Sequence, residues 1–599
     1  MEAYKVITAE LVISCALHLG SGEAGEVADA LLIRDERGAV YLPGTALAGA
    51  LREKMTRLAP GLGWEACRTL AGGRGICGCP VCRLMGEINS AEEEEAGSPM
   101  DRAGGRGPSA SRLYVYNAFL KEESLPAAIR DGVGIDRVTG TAARAARAKF
   151  NLEVLPPGAV FSLRLELRGV DEAGELLLAA ALAEWQEGRG RLGGRVTSGL
   201  GVFRLRSLEM RELDLGRVED VRKYLASDRP WEVAGVRKGW LDVSLESARR
   251  KVSSAGGAGR DGGLRLWCSF AGRLQFTEGM VVSDPQAVLY GFDHVPLTIA
   301  WDQWDLPVLP GSALKGVIRV RAEKILRTIW SIKAQQKNPG NRQKQAEYFK
   351  AFCPACDPLQ RLPEKPLAAC DALLTEAGFS GLDIAEEEDL CLACRLFGST
   401  RRGGRLFVSD ALFSQTDSRP EAVLKLFDFL AVDRFTGGGA GKLKYDAVVL
   451  CRPQFELHLY IENPRPWELG LLALVLRDFA CESVRVGYGG GKGFGLARLT
   501  GGELTVGYLQ EKDLGTINLS SAQQPTARKT CRGIFNCFTL HVPESLPLFL
   551  PAVNGWIEDL YRQEVSRQDR EEKRLPPLLK DYYFDREELW KLYPLEVQL

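Results

Sequence analysis

The chain has 599 residues, a formal net charge of −1, and 45% hydrophobic and 26% charged residues. This composition is that of a globular protein, and the length exceeds one ordinary core, so we expect two to four domains. No apolar run is long enough to span a membrane, and the first residues alternate like a strand rather than a signal peptide. We therefore expect a cytoplasmic protein that does not enter a membrane.

The first predicted elements are a strand and a helix. The strand is the alternating run YKVITAELVISCALHL (4–19), and the helix follows the turn of LPGTALAG (42–49). The same motif returns as LPGSALKG (309–316). We expect Thr45 and Ser312 to cap the first amides of these helices, where free N–H groups behind a glycine suit a phosphate.

Cysteines follow each of these helices. The first set is Cys67, Cys77, Cys79 and Cys82, and the second set is Cys353, Cys356, Cys391 and Cys394. Four thiolates close a tetrahedral zinc site and leave no open position for catalysis. The sequence therefore predicts two structural Zn²⁺ sites, and Cys370 can replace a ligand in the second. The alternative is that these are small buried cysteines.

Each half of the chain continues with strands, a helix and a glycine loop. The loops are GGRVTSGLGV (193–202) and GYGGGKGFGL (487–496). Neither has the spacing of a Walker loop or of a dinucleotide-binding loop. Their backbone can approach a polyanion closely, with charge from Arg195 in one loop and Lys492 in the other. The alternative is that each loop is only a turn between a helix and a strand.

Four motifs recur in the same order in the two halves. They are the capped helix start, CPVCRLMG against CLACRLFG, GIDRVTGTA against AVDRFTGGG, and the glycine loop. We infer a tandem duplication of an α+β unit with the strand and helix order of a ferredoxin-like fold. The expected domains are a first unit (1–212), a linker (213–263), a second unit (264–505) and a C-terminal extension (506–599) that serves as an interaction arm.

In combination, these motifs resemble the RAMP superfamily of CRISPR proteins. More narrowly, they resemble the tandem backbone subunit (Cas-seven family) of type III-D-like effector complexes, which act in antiviral defence. The resemblance implies a modified RNA-recognition (RRM) fold with zinc-binding insertions. The implied partners are the CRISPR guide RNA, a target RNA, the large polymerase-like subunit, the small subunit and other backbone subunits.

The resemblance assigns a set of residues to the guide RNA. They are Thr45, Arg52, Arg137, Arg195, Ser312, Lys315, Arg319, Arg434, Gly489, Gly490, Gly491 and Lys492. The segments Asp136–Gly140 and Asp433–Gly441 resemble the thumb, a hairpin that displaces a guide–target base pair. Base reading is left to pairing between the two RNAs.

The resemblance also implies cleavage of the target RNA. RNA-cleaving members carry an aspartate between the first strand and the capped helix, and Asp29 and Asp293 occupy that position. The target's own 2′-OH attacks the adjacent phosphate in a reaction that depends on Mg²⁺ or Mn²⁺. Asp35 and Asp305 are the next candidates.

Two other functions stay open from the sequence. The chain can be a scaffold that binds guide and target RNA and cuts neither. It can also be a guide-processing ribonuclease, which would use histidine acid–base chemistry. The sequence offers four histidines for that role.

Overall fold

The computed structural model is mixed α/β. It describes residues 3–26, 28–67, 78–86, 110–121, 126–137, 139–143, 149–254, 263–286, 290–301, 304–351, 354–363, 367–380, 384–414, 424–520, 528–542 and 551–563. Within these ranges no helix combines the length and apolar character needed to cross a membrane.

The first unit alternates between strands and helices. Its elements are β1 (Tyr4–Ile13), β2 (Tyr41–Leu42), α1 (Gly44–Leu58), α2 (Pro80–Met85), β3 (Leu113–Val115), β4 (Ala118–Leu120), β5 (Ala128–Val133), β6 (Lys149–Val154), β7 (Val160–Leu167), α3 (Glu172–Gln186), β8 (Gly190–Arg191) and β9 (Val202–Leu213). In its sheet β1 lies between β9 and β7, and β3 and β4 pair with β7, all antiparallel. With α1 and α3 in their places, this is the strand and helix order that the sequence predicts.

A middle segment follows. It contains α4 (Val218–Ala226), α5 (Pro230–Val233), β10 (Gly235–Val236) and α6 (Trp240–Ser254).

The second unit repeats the same order. Its elements are β11 (Leu266–Phe276), β12 (Gly279–Met280), β13 (Thr298–Trp301), β14 (Trp304–Leu309), α7 (Gly311–Lys337), α8 (Arg342–Ala351), α9 (Cys370–Glu376), α10 (Leu392–Phe397), β15 (Leu406–Val408), β16 (Ala411–Leu412), β17 (Leu424–Val432), β18 (Gly439–Cys451), β19 (Gln454–Glu462), α11 (Pro466–Ala480), β20 (Val484–Arg485) and β21 (Leu496–Tyr508). Here β11 lies between β21 and β19, and β15 pairs with β19. In each unit a separate antiparallel hairpin, β5–β6 or β17–β18, stands apart from the main sheet.

The segment that follows each unit adds a strand to its sheet and a helix to its helix layer. The last part of the chain contains α12 (Glu511–Gly515), β22 (Arg528–Arg532), β23 (Phe535–Val542) and α13 (Pro551–Arg562). β10 extends the sheet beyond β9, and β23 extends it beyond β21. α6 packs on α3, and α13 packs on α11. The predicted linker and C-terminal extension thus contribute equivalent elements to the two units.

These added helices explain an apolar pattern that covers all sides of α3 and α11. Leu176–Ala183 in α3 is buried throughout, because the sheet covers one face and α6 the other. In α11 a Cβ at Gly470 would lie 2.3 Å from the carbonyl oxygen of Trp556, so α13 approaches α11 at a distance that only glycine permits.

The capped helices begin differently from the sequence prediction. Pro43 and Pro310 are the N-cap residues, and neither helix has a side-chain cap from the following hydroxyl residue, so that prediction is wrong. Gly44 N instead donates to Asn117 Oδ1, and Gly311 N donates to Asp410 Oδ1, both at 2.8 Å. The second helix start therefore already carries a carboxylate.

The two units contact each other head to tail. A Cβ at Gly199, in the first glycine loop, would lie 2.9 Å from Gly311 Cα at the start of α7. Arg130 Nη1 on β5 lies 2.5 Å from Asp410 Oδ2, and both side chains are buried. Asp410 thus joins the helix start of the second unit to the hairpin of the first.

A second group of contacts joins the end of β19 to α1. Glu462 pairs with Arg57 and, at 3.5 Å, with Lys54 of the first unit. Burial alone would raise the pKa of Glu462, but Arg57 and Lys54 hold that pKa at about 2. This carboxylate is therefore charged at neutral pH. We call the contact region between the two units the joint, and its buried acidic side chains Asp410 and Glu462 both have arginine partners from the first unit.

Candidate functional site

The predicted catalytic aspartates both pair with a strand of the neighbouring hairpin. Asp29 Oδ2 accepts from Asn151 N at 2.8 Å, and Asp29 N lies 3.3 Å from Asn151 Oδ1. Asp293 Oδ2 accepts from Asp446 N at 3.0 Å, and Asp293 N donates to Asp446 Oδ1 at 2.8 Å. Both aspartates are exposed. They occupy equivalent positions, opposite an amide in the first unit and opposite a second carboxylate in the second.

The two fallback aspartates lack this arrangement. Asp35 Oδ1 accepts from the backbone N–H groups of Arg37 and Ala39 within its own turn. Asp305 lies on β14 opposite Ala300. Of the four candidate aspartates, Asp29 and Asp293 are the pair that the structure places equivalently.

The two glycine loops share one conformation. Each is a short 3₁₀ turn, Val196–Ser198 or Gly490–Lys492, with a left-handed residue on either side. The entry residue is Gly489 (φ 79°) in the second unit but Arg195 (φ 56°) in the first. Because a residue with a Cβ is strained at such a φ, Arg195 requires a compensating contact.

That contact is a ring on the hairpin, and both loops make it. The guanidinium carbon of Arg195 lies 3.8 Å from the centre of the Phe150 ring, and Lys492 Nζ lies 4.3 Å from the centre of the Tyr445 ring. Phe150 and Tyr445 directly precede the hairpin residues that pair with the two aspartates. In each unit, adjacent hairpin residues therefore contact a loop aspartate and a cation of the glycine loop, and we call this arrangement the site of the unit.

Histidines lie beside both sites. His18 is buried, and its Nδ1 lies 2.7 Å from the carbonyl oxygen of Glu153. The His294 ring lies 4.3 Å from that of Tyr488, and its Nδ1 lies 2.9 Å from Ser283 Oγ. Burial lowers the pKa of His294, which favours the neutral ring.

The two arginines of the capped helices that are predicted to bind RNA contact protein groups. Arg52 Nη2 donates to the carbonyl of Gly86 at 2.9 Å. Arg319 Nη1 donates to the carbonyl of Gly398 at 3.1 Å, and its Nη2 lies 3.3 Å from Cys394 Sγ. Arg52 thus links α1 to the end of α2, and Arg319 links α7 to the end of α10. The role of both arginines in RNA binding stays a prediction.

The other predicted residues of the capped helices differ in exposure. Thr45 and Ser312 are exposed. Lys315 is only 7% exposed, and burial lowers its pKa to about 7. A Cβ at Gly49 or Gly316 would meet no atom within 4 Å. Both helices therefore keep an open face beside their starts.

The two hairpins carry equivalent arginines in different surroundings. Arg137 Nε, after β5, lies 3.0 Å from Glu323 Oε2 on α7, so the first hairpin rests on the second unit. Arg434, after β17, is exposed, and the neighbouring Phe435 is 98% exposed. The residue equivalent to Phe435, Val138, lies outside the described residues.

Four buried cysteines converge in the second unit. They are Cys356, Cys370, Cys391 and Cys394. Cys356 Sγ lies 3.5 Å from Cys394 Sγ and 3.8 Å from Cys370 Sγ. These distances fit the roughly 3.8 Å edge of a tetrahedral zinc–thiolate group. This set could hold zinc with Cys370 as its fourth ligand, and the predicted ligand Cys353 lies outside the described residues.

Three cysteines converge in the first unit. Cys67 Sγ lies 3.2 Å from Cys82 Sγ and 3.9 Å from Cys79 Sγ. Cys82 N lies 3.5 Å from Cys79 Sγ, as Cys394 N does from Cys391 Sγ. This set could also hold zinc, and its predicted fourth ligand, Cys77, lies outside the described residues.

The hairpin members of the sites could not be found from the sequence. Asn151 and Asp446 belong to no repeated motif, and their spacing from the DRxTG motif differs between the units. Only the strand register shows that Asn151 faces Asp131 as Asp446 faces Asp428.

A family model connects the two units to known proteins. The model for the RAMP superfamily matches residues 11–204 and 296–498, about two-thirds of the chain. The two matches cover both capped helices, both cysteine groups and both glycine loops. A comparison with curated proteins gave no match.

Proposed function

Because the chain belongs to the RAMP superfamily, whose members are generally CRISPR RNA-binding subunits, we propose that it is the two-unit backbone subunit of a type III effector complex. In this role it binds a guide RNA and cleaves the target RNA paired to it. The observation that carries the proposal is the repeated arrangement, in which adjacent hairpin residues contact an exposed aspartate and a loop cation in each unit.

Binding of the RNA backbone follows from the chemistry around each site. A loop with left-handed residues on both sides of its turn lets phosphates approach the main chain, and Lys492 or Arg195 supplies charge. The open faces beside Thr45 and Ser312 give the strand a continuous path. The exposed ring of Phe435 at the hairpin tip is suited to stack on a displaced base.

Cleavage needs little from the protein, because the target supplies the nucleophile. In the proposed reaction the 2′-oxygen attacks the adjacent phosphorus and the P–O5′ bond breaks. The 2′-oxygen loses its proton and the departing 5′-oxygen gains one, which leaves a 2′,3′-cyclic phosphate and a 5′-hydroxyl. Asp29 and Asp293 would orient the 2′-OH and accept its proton.

The same oxygen atoms suit the implied divalent metal. Asp29 with the amide oxygen of Asn151, and Asp293 with Asp446, present the hard oxygen ligands that Mg²⁺ and Mn²⁺ prefer. A cation bound there would stabilise charge on the phosphate oxygens. In the second unit Cys356, Cys370, Cys391 and Cys394 offer a closed set of four thiolates, so zinc bound there would be structural.

Cleavage mapping tests the proposal. The guide-loaded complex is incubated with an end-labelled target RNA and Mg²⁺ or Mn²⁺, and wild type is compared with Asp29→Ala and Asp293→Ala. We expect each substitution to slow cleavage at a different position of the target at least about a hundredfold, so that this band is lost while target binding is retained. Asp35→Ala is the matched control, because this loop aspartate only holds its own turn.

The other outcomes select the other functions. If both variants cut as wild type does, the aspartates are not catalytic. If wild type binds the target and cuts nothing, the chain is a scaffold. Cleavage of a repeat RNA by the isolated protein would instead identify a guide-processing ribonuclease.

A further inference from the structure

One buried carboxylate of the second unit contacts three arginines. Glu323, on α7, is 1% exposed. Its Oε1 lies 2.8 Å from Arg319 Nε, and its Oε2 lies 3.0 Å from Arg137 Nε and 3.8 Å from Arg327 Nη2. Burial alone would raise the pKa of Glu323, but the three arginines hold that pKa below its usual value. The carboxylate is therefore charged at neutral pH, and the three guanidiniums meet at it.

Two of these arginines also contact the cysteine group of the second unit. Arg319 Nη2 lies 3.3 Å from Cys394 Sγ. Arg327 Nε donates to the carbonyl oxygen of Ala355 at 3.1 Å, and its Nη2 donates to that of Cys356 at 3.0 Å. The segment that carries Cys356 and the helix that carries Cys394 are thus both fastened to α7.

The third arginine comes from the first unit. Arg137 lies in the segment between the two strands of the first hairpin, and its Nη1 also donates to the carbonyl oxygen of Ile135 at 2.7 Å. The side chains of Arg137 and Glu323 are 13% and 1% exposed, so water and salt screen their attraction little. Arg319, Glu323 and Arg137 therefore connect Cys394 to the first hairpin, and we call these three residues the ionic link.

The charges beside the cysteine group fit the implied zinc. A zinc ion with four thiolate ligands is a dianion, and a guanidinium that donates to one of the sulfurs stabilises it. Two carboxylates, Glu323 and Asp357, face the three arginines of the cluster, and Lys315 adds an amine near Arg319. The cations outnumber the carboxylates, so an anionic group at the cysteines offsets the remaining positive charge.

The first unit lacks this carboxylate at the equivalent position. Thr56 takes the place of Glu323, and its hydroxyl donates to the carbonyl oxygen of Arg52 at 2.7 Å. The two hairpins differ in the same way. Arg137 is held by Glu323, whereas Arg434, its equivalent in the second hairpin, is exposed. The ionic link therefore joins the cysteine group of one unit to the hairpin of the other.

We propose that Glu323 is a positioning residue for the first hairpin, which it ties through Arg137 and Arg319 to the zinc-bound cysteine group of the second unit. Because a coupling free energy is reciprocal, the hairpin contact also strengthens zinc binding. The position of the hairpin then affects the cut at the site of Asp29 and not the cut at the site of Asp293. This consequence for cleavage rests on the proposed function, whereas the link between zinc and hairpin does not.

Hydrogen exchange on the full chain without RNA tests the hairpin end of the link. Arg137→Met leaves Glu323 with two arginines, so the second unit keeps its fold. We expect the amides of β5 and β6 to exchange at least about tenfold faster than in wild type, and those of β17 and β18 to exchange as in wild type. Arg137→Lys keeps the charge and should restore most of the protection. Arg434→Met is the matched control and should leave β5 and β6 unchanged.

Zinc affinity tests the other end in the same variants. Zinc is titrated in competition with a chelator of known affinity. We expect Arg137→Met to weaken zinc binding at one cysteine group at least about threefold, Arg137→Lys to restore it, and Arg434→Met to leave it unchanged. Unchanged exchange in β5 and β6, or equal zinc affinities of wild type and Arg137→Met, would overturn the proposal, because the ion pair would then be only a local contact.

Cleavage mapping separates this inference from the proposed function. In the guide-loaded complex, Arg137→Met should slow the cut that Asp29→Ala removes at least about tenfold and leave the cut that Asp293→Ala removes as in wild type. If exchange and zinc affinity change while wild type cuts nothing, the ionic link is supported and the proposed cleavage is wrong. If both change and the first cut keeps its rate, the positioning role of Glu323 is overturned.

Discussion

The first and second units have the same strand order but different residues at equivalent places. Both aspartates pair with the hairpin, yet the partner is Asn151 in one unit and Asp446 in the other. The first hairpin rests on the second unit, whereas the second hairpin extends into solvent with Phe435 at its tip. Two copies of one architecture therefore keep the position of a site and vary its charge and its neighbours.

The loop cations show most clearly what the shared architecture preserves. Arg195 enters its turn and Lys492 ends its turn, so the two do not align in sequence. Both nevertheless stack on the equivalent hairpin rings, Phe150 and Tyr445. The feature common to both units is a cation over a ring, and it can be supplied from either end of the loop.

The largest expected effect concerns the cysteine groups, in which the second unit brings Cys370 to the place of a fourth ligand. We expect Cys370→Ser to release one zinc and to unfold the second unit, because structural zinc contributes on the order of 10 kcal/mol to folding. Zinc content and thermal unfolding are measured together. Cys353→Ser is the matched control and should keep the metal. If Cys353→Ser releases the zinc and Cys370→Ser keeps it, Cys353 is the fourth ligand and Cys370 is not.

The next effect concerns the joint. Arg130→Met leaves Asp410 buried without its charged partner, and we expect a loss of about 3–5 kcal/mol of unfolding free energy. Adding Asp410→Asn should recover most of it, because the first unit uses Asn117 at the same helix start. Urea unfolding of the single and double variants decides this. Equal stabilities of the Arg130→Met variant and the double variant would show that the Arg130–Asp410 pair does not hold the joint.

A smaller effect concerns the pH dependence of stability that Lys315 causes. Its counterpart in the first unit, Ala48, has no charge. The pKa of Lys315 is about 7 in the folded protein, against the usual 10.5. Between pH 7 and 10.5 the unfolded chain therefore binds the Lys315 proton more than the folded protein does, and stability rises with pH over this range. Lys315→Met should abolish this rise and stabilise the protein at pH 7 by about 1–3 kcal/mol. Urea midpoints from pH 6.5 to 9.5 measure it. An unchanged slope would show that Lys315 is solvated.

The smallest effect exchanges the hairpin partners of the aspartates. Asp446→Asn gives the second site the first unit's amide, and Asn151→Asp does the opposite. We expect the Mg²⁺ concentration for half-maximal cleavage to rise several-fold at the second cut and to fall at the first, because a second carboxylate attracts the cation. Cleavage is titrated band by band. Identical titrations would mean that the partner does not contact the metal.

The sequence predicted the repeated order of strands and helices because its motifs lie within elements whose periodicity is strong. It misplaced the helix caps, because Asn117 and Asp410 lie in distant connections between short strands, and no local pattern links them to Gly44 and Gly311. For the same reason, the sequence did not reveal Asn151 and Asp446 as the partners of Asp29 and Asp293. A contact between a loop and a hairpin depends on strand register, which tertiary packing sets.

The contact between Gly199 and Gly311 has a consequence for how the cell supplies the two units for assembly. Where stacked units are separate proteins, each contact must form from a pool of free subunits, and it weakens as that pool is diluted. Here the two surfaces share one chain, so each meets the other at a high effective concentration that expression level does not change. The ribosome delivers the two units in equal number and in one order, and neither can be incorporated without the other.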